Sequence, residues 1–173
     1  MRRARAAALL ALTAASCGCG PAGTDAAPCT LALEWGRFQG DVFVPFDAGE
    51  SAEITIGFQG FRFIYSAARI RGVPATSATF SFDVTVDGHP TSFQDVGASD
   101  VFIGPDGEQY ADEILVFFND IPTAELLTRN AAIVVYGTAG SCSGRDETSV
   151  VLVDNDTCIA PPDGGNQCSD AGL

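Results

Sequence analysis

Lysine is absent from this 173-residue chain: all nine basic residues are arginines, against 22 Asp and Glu. Histidine, methionine and tryptophan occur once each. At a net charge of −13 no basic face can be assembled against phosphates, which excludes a nucleic-acid binder and disfavours docking on an anionic membrane surface. One His and few basic groups leave little material for acid–base catalysis, so the chain reads as non-enzymatic. What the chain does have is 46% hydrophobic residues, enough for a core, at a length that suits one domain with tails.

The start reads as an export signal. Arg2, Arg3 and Arg5 make a positive n-region, followed by an apolar run from Ala6 to Ala15. A membrane-spanning helix needs about 20 such residues, so this shorter run is an h-region. Ala14-Ala15-Ser16-Cys17-Gly18 resembles the bacterial lipobox, with Ala14 in place of the preferred Leu and Cys19 as a competing acceptor. That resemblance implies a signal peptide over 1–16 and a diacylglyceryl group on Cys17. An ordinary signal peptide cut near Ala15 is the alternative. Removing 1–16 takes three Arg and no acid, leaving six Arg against 22 acids, a charge of −16. Such a surface collects Ca²⁺ or basic partners. Residues 17–28 are small and helix-breaking and read as a lipid-anchored tether; 29–158 form the domain; 159–173, with Pro161-Pro162-Asp163-Gly164-Gly165, read as a flexible tail.

Strand signals fill the middle. Phe80, Phe82, Val84 and Val86 alternate with Thr79, Ser81, Asp83 and Thr85, the period of a strand with one wet face. The apolar set should be buried and Thr79, Ser81 and Thr85 largely exposed. Ile114 to Phe118 is apolar on both faces, and Thr148 to Asp154 is rich in β-branched residues. Strands are expected near 31–35, 41–46, 52–58, 61–70, 78–86, 92–103, 113–119, 131–137 and 148–154, with helical character only in 122–130. Short strands with regular turns mean an all-β chain: an immunoglobulin-like antiparallel β-sandwich, with a jelly roll as the alternative.

Leu33-Glu34-Trp35-Gly36, Val44-Pro45-Phe46, Gly57-Phe58-Gln59-Gly60 and Arg69-Ile70-Arg71-Gly72-Val73 together resemble a group of uncharacterised lipoproteins of myxobacterial type. Phe58 stands where those chains tend to carry Pro, and Phe63 where they carry His. The resemblance covers residues 33–73 and implies an envelope location and a single sandwich domain. It brings no activity.

Several constellations bear on chemistry. Gly140-Ser141-Cys142-Ser143-Gly144 has the spacing of a nucleophile elbow, but an elbow leads into a helix and here a strand follows, so a hairpin loop with a bridged Cys is expected. His89 beside Pro90 reads as a surface turn residue; no transition metal and no cofactor are assigned. The acidic stretches Asp106 to Glu113 and Asp154-Asn155-Asp156 lack EF-hand spacing and read as solvated turns that could be tested for Ca²⁺. Trp35, Tyr65, Tyr110 and Tyr136 would form a sugar-stacking platform only if they shared one exposed face; otherwise they are core. Arg69 and Arg71 share a strand face and should pair with carboxylates.

Six cysteines remain to be placed. With Cys17 lipidated, Cys19 in the tether is the expected unpaired one. A seven-residue last strand would separate Cys142 from Cys158 by roughly 23 Å, too far for a bridge without a sharp return. In an immunoglobulin-like sandwich the first strand runs parallel to the last, placing Cys29 near Cys142. The expected pairs are therefore Cys29–Cys142 and, as a tail clasp, Cys158–Cys168. The functional expectation is a lipid-anchored envelope module acting by binding or as structure, its partners being the membrane and an envelope protein or glycan. A carbohydrate- or calcium-binding module of the same fold is the alternative.

Overall fold

A computed structural model describes residues 29–57, 60–91, 94–118 and 121–158. The signal segment 1–16, the tether 17–28 and the tail 159–173 lie outside these residues, and with them Cys17, Cys19 and Cys168. The chain folds as β1 (Cys29–Thr30), β2 (Ala32–Gln39), β3 (Val42–Pro45), β4 (Glu50–Ile56), β5 (Arg62–Arg71), β6 (Ser77–Val86) and β7 (His89–Pro90). There follow β8 (Gln94–Asp100), β9 (Phe102–Ile103), β10 (Gln109–Phe117), the one-turn helix α1 (Thr123–Leu126), β11 (Asn130–Ala139) and β12 (Cys142–Cys158).

These strands make the expected all-β sandwich. One layer runs β8–β6–β11–β12 and the other β3–β2–β5–β10–β9. β4 joins them, pairing with β12 along 50–54 and with β5 at 55–56. Most ladders are antiparallel; β12 takes two parallel partners, β1 at its start and β4 towards its end. The core lies between the layers, where Trp35 of β2 meets the Phe82 ring of β6 edge-on at 6.4 Å. Phe80, Phe82, Val84 and Val86 are buried there, with Thr79 and Asp83 exposed; Ser81 and Thr85 are only half-exposed.

Three stretches depart from the expected strands. The run 92–103 is broken at Val101 into β8 and β9, which pair with different strands. The strand expected from 113 starts at Gln109, because a bulge at Asp112-Glu113 lets the acidic stretch remain in the ladder opposite β5. The last strand starts at Cys142 rather than 148. Gly144, a turn residue by sequence, sits inside it, because a Cβ there would lie 2.4 Å from the Leu31 carbonyl oxygen. The turn itself is Gly140-Ser141, where Gly140 adopts φ +60°.

Candidate functional site

The first expected site residues to meet are Cys29 and Cys142. They pair in the β1–β12 register, form a disulfide, and bring Cα atoms to 4.4 Å across 113 residues of sequence. β12 continues as strand beyond Cys142, so no helix N-terminus faces the sulfur, and the bridge leaves no thiolate there. Cys158 ends β12 opposite Ile56; its pairing with Cys168 falls outside the described residues. Just past the bridge the chain changes layers. Leu31 N–H still donates to Ser143 O at 3.0 Å, whereas Ala32 already pairs with Arg71 of β5. Asp146 fastens the crossing, one carboxylate oxygen accepting from Trp35 N–H at 2.7 Å and the other from Glu147 N–H at 2.8 Å.

The four aromatics do not share a face. Trp35 is core at 1% exposure, and Tyr110 is 2% exposed in a cluster with Phe38 and Phe43 on the outer side of β2 and β5. Tyr136, 37% exposed, lies on the opposite layer and donates to Asp83 at 3.1 Å. Tyr65 alone remains as an exposed ring on β5, at 49%. His89 is exposed beside the Asp87-Gly88 turn. Among the described residues no three His, Cys, Asp or Glu side chains converge as a metal site.

Of the acidic stretches, Asp106 accepts from Tyr110 Oη at 2.5 Å and from Glu108 N–H at 3.1 Å. The phenol bond and that amide hold its carboxyl below the usual range, while burial and the Asp106 contact push the Tyr110 phenol up, against the pull of Arg69. Arg69 and Arg71 are spent on ion pairs, as their shared face implies. Arg69 Nε donates to Glu34 at 2.7 Å, and Arg71 to Glu108 at 2.9 Å.

The feature that sequence reading missed is a cleft of about 680 Å³. β10 occupies one edge of β5 over residues 63–70, so β2 and β4 share the other edge. β2 pairs with 67–71 and β4 with 62–63, leaving 64–66 without a strand on that side. The cleft opens at this fork. Its walls include Arg37 and Gln39 of β2, Ser51 and Glu53 of β4, Tyr65 of β5, and Asp112 and Glu113 of the β10 bulge. That volume is within the roughly 300–1,000 Å³ of small-molecule sites. Glu113 has φ +55°, a left-handed conformation unfavourable for a non-glycine residue.

Arg37 organises one wall. Its Nη2 donates to Glu50 Oε1, and its guanidinium lies 4.9 Å over the Phe46 ring. With its amide oxygen turned inward, Gln39 accepts from Arg37 Nε at 3.2 Å and Nη2 at 2.9 Å. Burial raises the Glu50 carboxyl, but the Arg37 hydrogen bond, the Asp47 N–H and the Arg37 charge outweigh it and hold Glu50 below its ordinary value. Nη1 is buried with no partner among the described residues, which costs about 1–3 kcal/mol.

No family model matches the chain, and no curated protein matches it. Among solved structures, the N-terminal domain of PorA is similar at 11% identity, covering 69% of this chain and 97% of that one, with a TM-score of 0.24. A superposition that loose carries no functional argument.

Proposed function

We propose that the protein is a non-enzymatic, lipid-anchored module of the cell envelope, on the outer membrane or periplasmic face, that acts by binding an envelope protein or glycan through the β2–β4 cleft. The cleft carries this reading: a mixed polar and aromatic cavity at a break in strand pairing, with a strained glutamate on its rim. The bridged Cys142 supports a non-enzymatic role, since it removes the one nucleophile motif in the sequence. The charge of −13 supports partners other than nucleic acid. The run from Arg2 to Cys17, and the resemblance to myxobacterial-type lipoproteins, support export and acylation.

Two measurements test this. Mass spectrometry of the native N-terminus should find a chain beginning at an acylated Cys17; an unmodified Ala, Ser or Gly start would refute the anchor. Exposed Ser51 sits in the cleft wall, so Ser51→Trp should fill the cleft while leaving β4 paired. Immobilised wild-type protein should retain envelope material that Ser51→Trp does not, and equal retention would remove the cleft from the function.

A further inference from the structure

The geometry points to a saccharide as the cleft's ligand, specifically one without acidic groups. This rests on the cleft being the binding site. Tyr65 lines the cleft with about half its surface in solvent, and Phe63 packs against it in a T-shape at 5.1 Å and 87°, a contact that covers at most one face of the Tyr65 ring. A fixed, partly wet ring suits the apolar CH face of a sugar. Around it stand groups of both hydrogen-bonding senses: carboxylate acceptors on Glu53, Asp112 and Glu113, and donors on the Gln39 amide and the Ser51 hydroxyl. Sugar hydroxyls donate and accept, so one ring can satisfy both sets. A lysine side chain, which only donates, would use the carboxylates and leave the Gln39 amide donor unanswered.

The sign of the charge sets the specificity. Arg37 is committed to Glu50. Among the described residues none of Glu53, Asp112 and Glu113 has an ion-pair partner. A uronate or phosphorylated sugar therefore meets three carboxylates with no free cation to offset them, in a chain of charge −13. Neutral and amine-bearing sugars meet no such repulsion. The bulge at Asp112-Glu113 turns the ladder locally, and Glu113 keeps its left-handed backbone at this rim, where strain commonly accompanies a binding role.

Calorimetric titration of the full chain with cellohexaose, chitohexaose, hexagalacturonate and hexalysine tests the proposal. At least one of the two non-acidic oligosaccharides should bind, with hexagalacturonate about tenfold weaker or more. Tyr65→Ala should weaken the sugar about tenfold, as one lost stacking contact would. Tyr136→Ala, on the opposite layer, should leave it unchanged. Circular dichroism should show both variants folded. Absence of sugar binding, equal binding of the uronate, equal effects of the two tyrosine variants, or binding of hexalysine alone would each overturn the assignment. If no sugar binds yet Ser51→Trp still loses envelope material, the ligand class fails and the cleft stands. If Ser51→Trp retains that material, both fail.

Discussion

Arg37 and Glu50 show how one pair can support both a wall and a pH response. The pair is partly shielded, with side chains 25% and 27% exposed, and the guanidinium also rests on Phe46. Glu50 titrates below its ordinary value of 4.5 in the fold, so folding favours its ionised form. The stabilisation is complete above the unfolded carboxyl's pKa and is lost as pH falls through the lower folded one. Glu50→Gln should therefore cost about 1 kcal/mol at pH 7, and the gap from wild type should close as the pH falls below the ordinary carboxyl range and through the lower folded value. Denaturant unfolding of both proteins across that range checks this, and a gap that widens in acid would contradict it. A substitution at Glu113 should change stability with the opposite sign, through the backbone. At φ +55° glycine relieves a left-handed strain, so Glu113→Gly should stabilise the protein by about 0.5–1 kcal/mol while weakening the cleft's ligand. A destabilised Glu113→Gly would mean that its side chain holds the bulge together.

At the scale of elements, what could be read from the sequence was whatever a single strand carries within itself. The alternation from Thr79 to Val86 fixes one face of β6 by period two, and that face is the buried one. The run 114–118, apolar on both sides as a central strand would be, buries only Ile114, Val116 and Phe118; Leu115 and Phe117 are half-buried, because β10 is paired there with β5 alone among the described residues. Whatever depends on two strands meeting was not legible. Gly144 looked like loop chemistry, yet it is there because the chain leaving β1 crosses above it, with Leu31 O and Leu31 Cδ1 at 2.4 and 2.7 Å from where a Cβ would stand. The cleft arises because β2 and β4 claim opposite ends of the same edge of β5, a fact of register between segments that no local pattern encodes. The aromatic platform failed for a similar reason: Tyr65 and Tyr136 look alike in sequence but sit on different layers. Gly144→Ala tests the close approach. A backbone oxygen cannot step aside as a side chain can, so β1 must shift, at about 1–3 kcal/mol. Hydrogen exchange should then quicken at Leu31 N–H, which bonds to Ser143 O, before it quickens in β6 or β11. Unchanged exchange at Leu31 would show that β1 tolerates the methyl.

For the molecule as a whole, the Cys29–Cys142 bridge closes nearly the entire described domain into one loop. β1 is only two residues long, and two ladder positions against β12 cannot hold a strand by themselves. The bridge fixes that short strand where the chain must change layers at Leu31 and place Trp35 in the core within reach of Asp146. In the chain-entropy account, a loop of about 100 residues stabilises by about 4.7 kcal/mol, a large part of the 5–15 kcal/mol typical of a domain. The double variant Cys29→Ser, Cys142→Ser should therefore lose about 2–5 kcal/mol and unfold at markedly lower denaturant concentration, with an unchanged or larger dependence on denaturant. The layer crossing alone cannot compensate, because Asp146 contributes one hydrogen bond across it, from Trp35 N–H, and one to its own neighbour Glu147, whereas the bridge acts on the whole unfolded ensemble. Asp146→Asn, which keeps an acceptor oxygen for Trp35 N–H, should accordingly cost no more than about 1–2 kcal/mol. If the double serine variant proved no less stable than Asp146→Asn, the bridge would be a consequence of the β1–β12 register and not a determinant of the domain's stability.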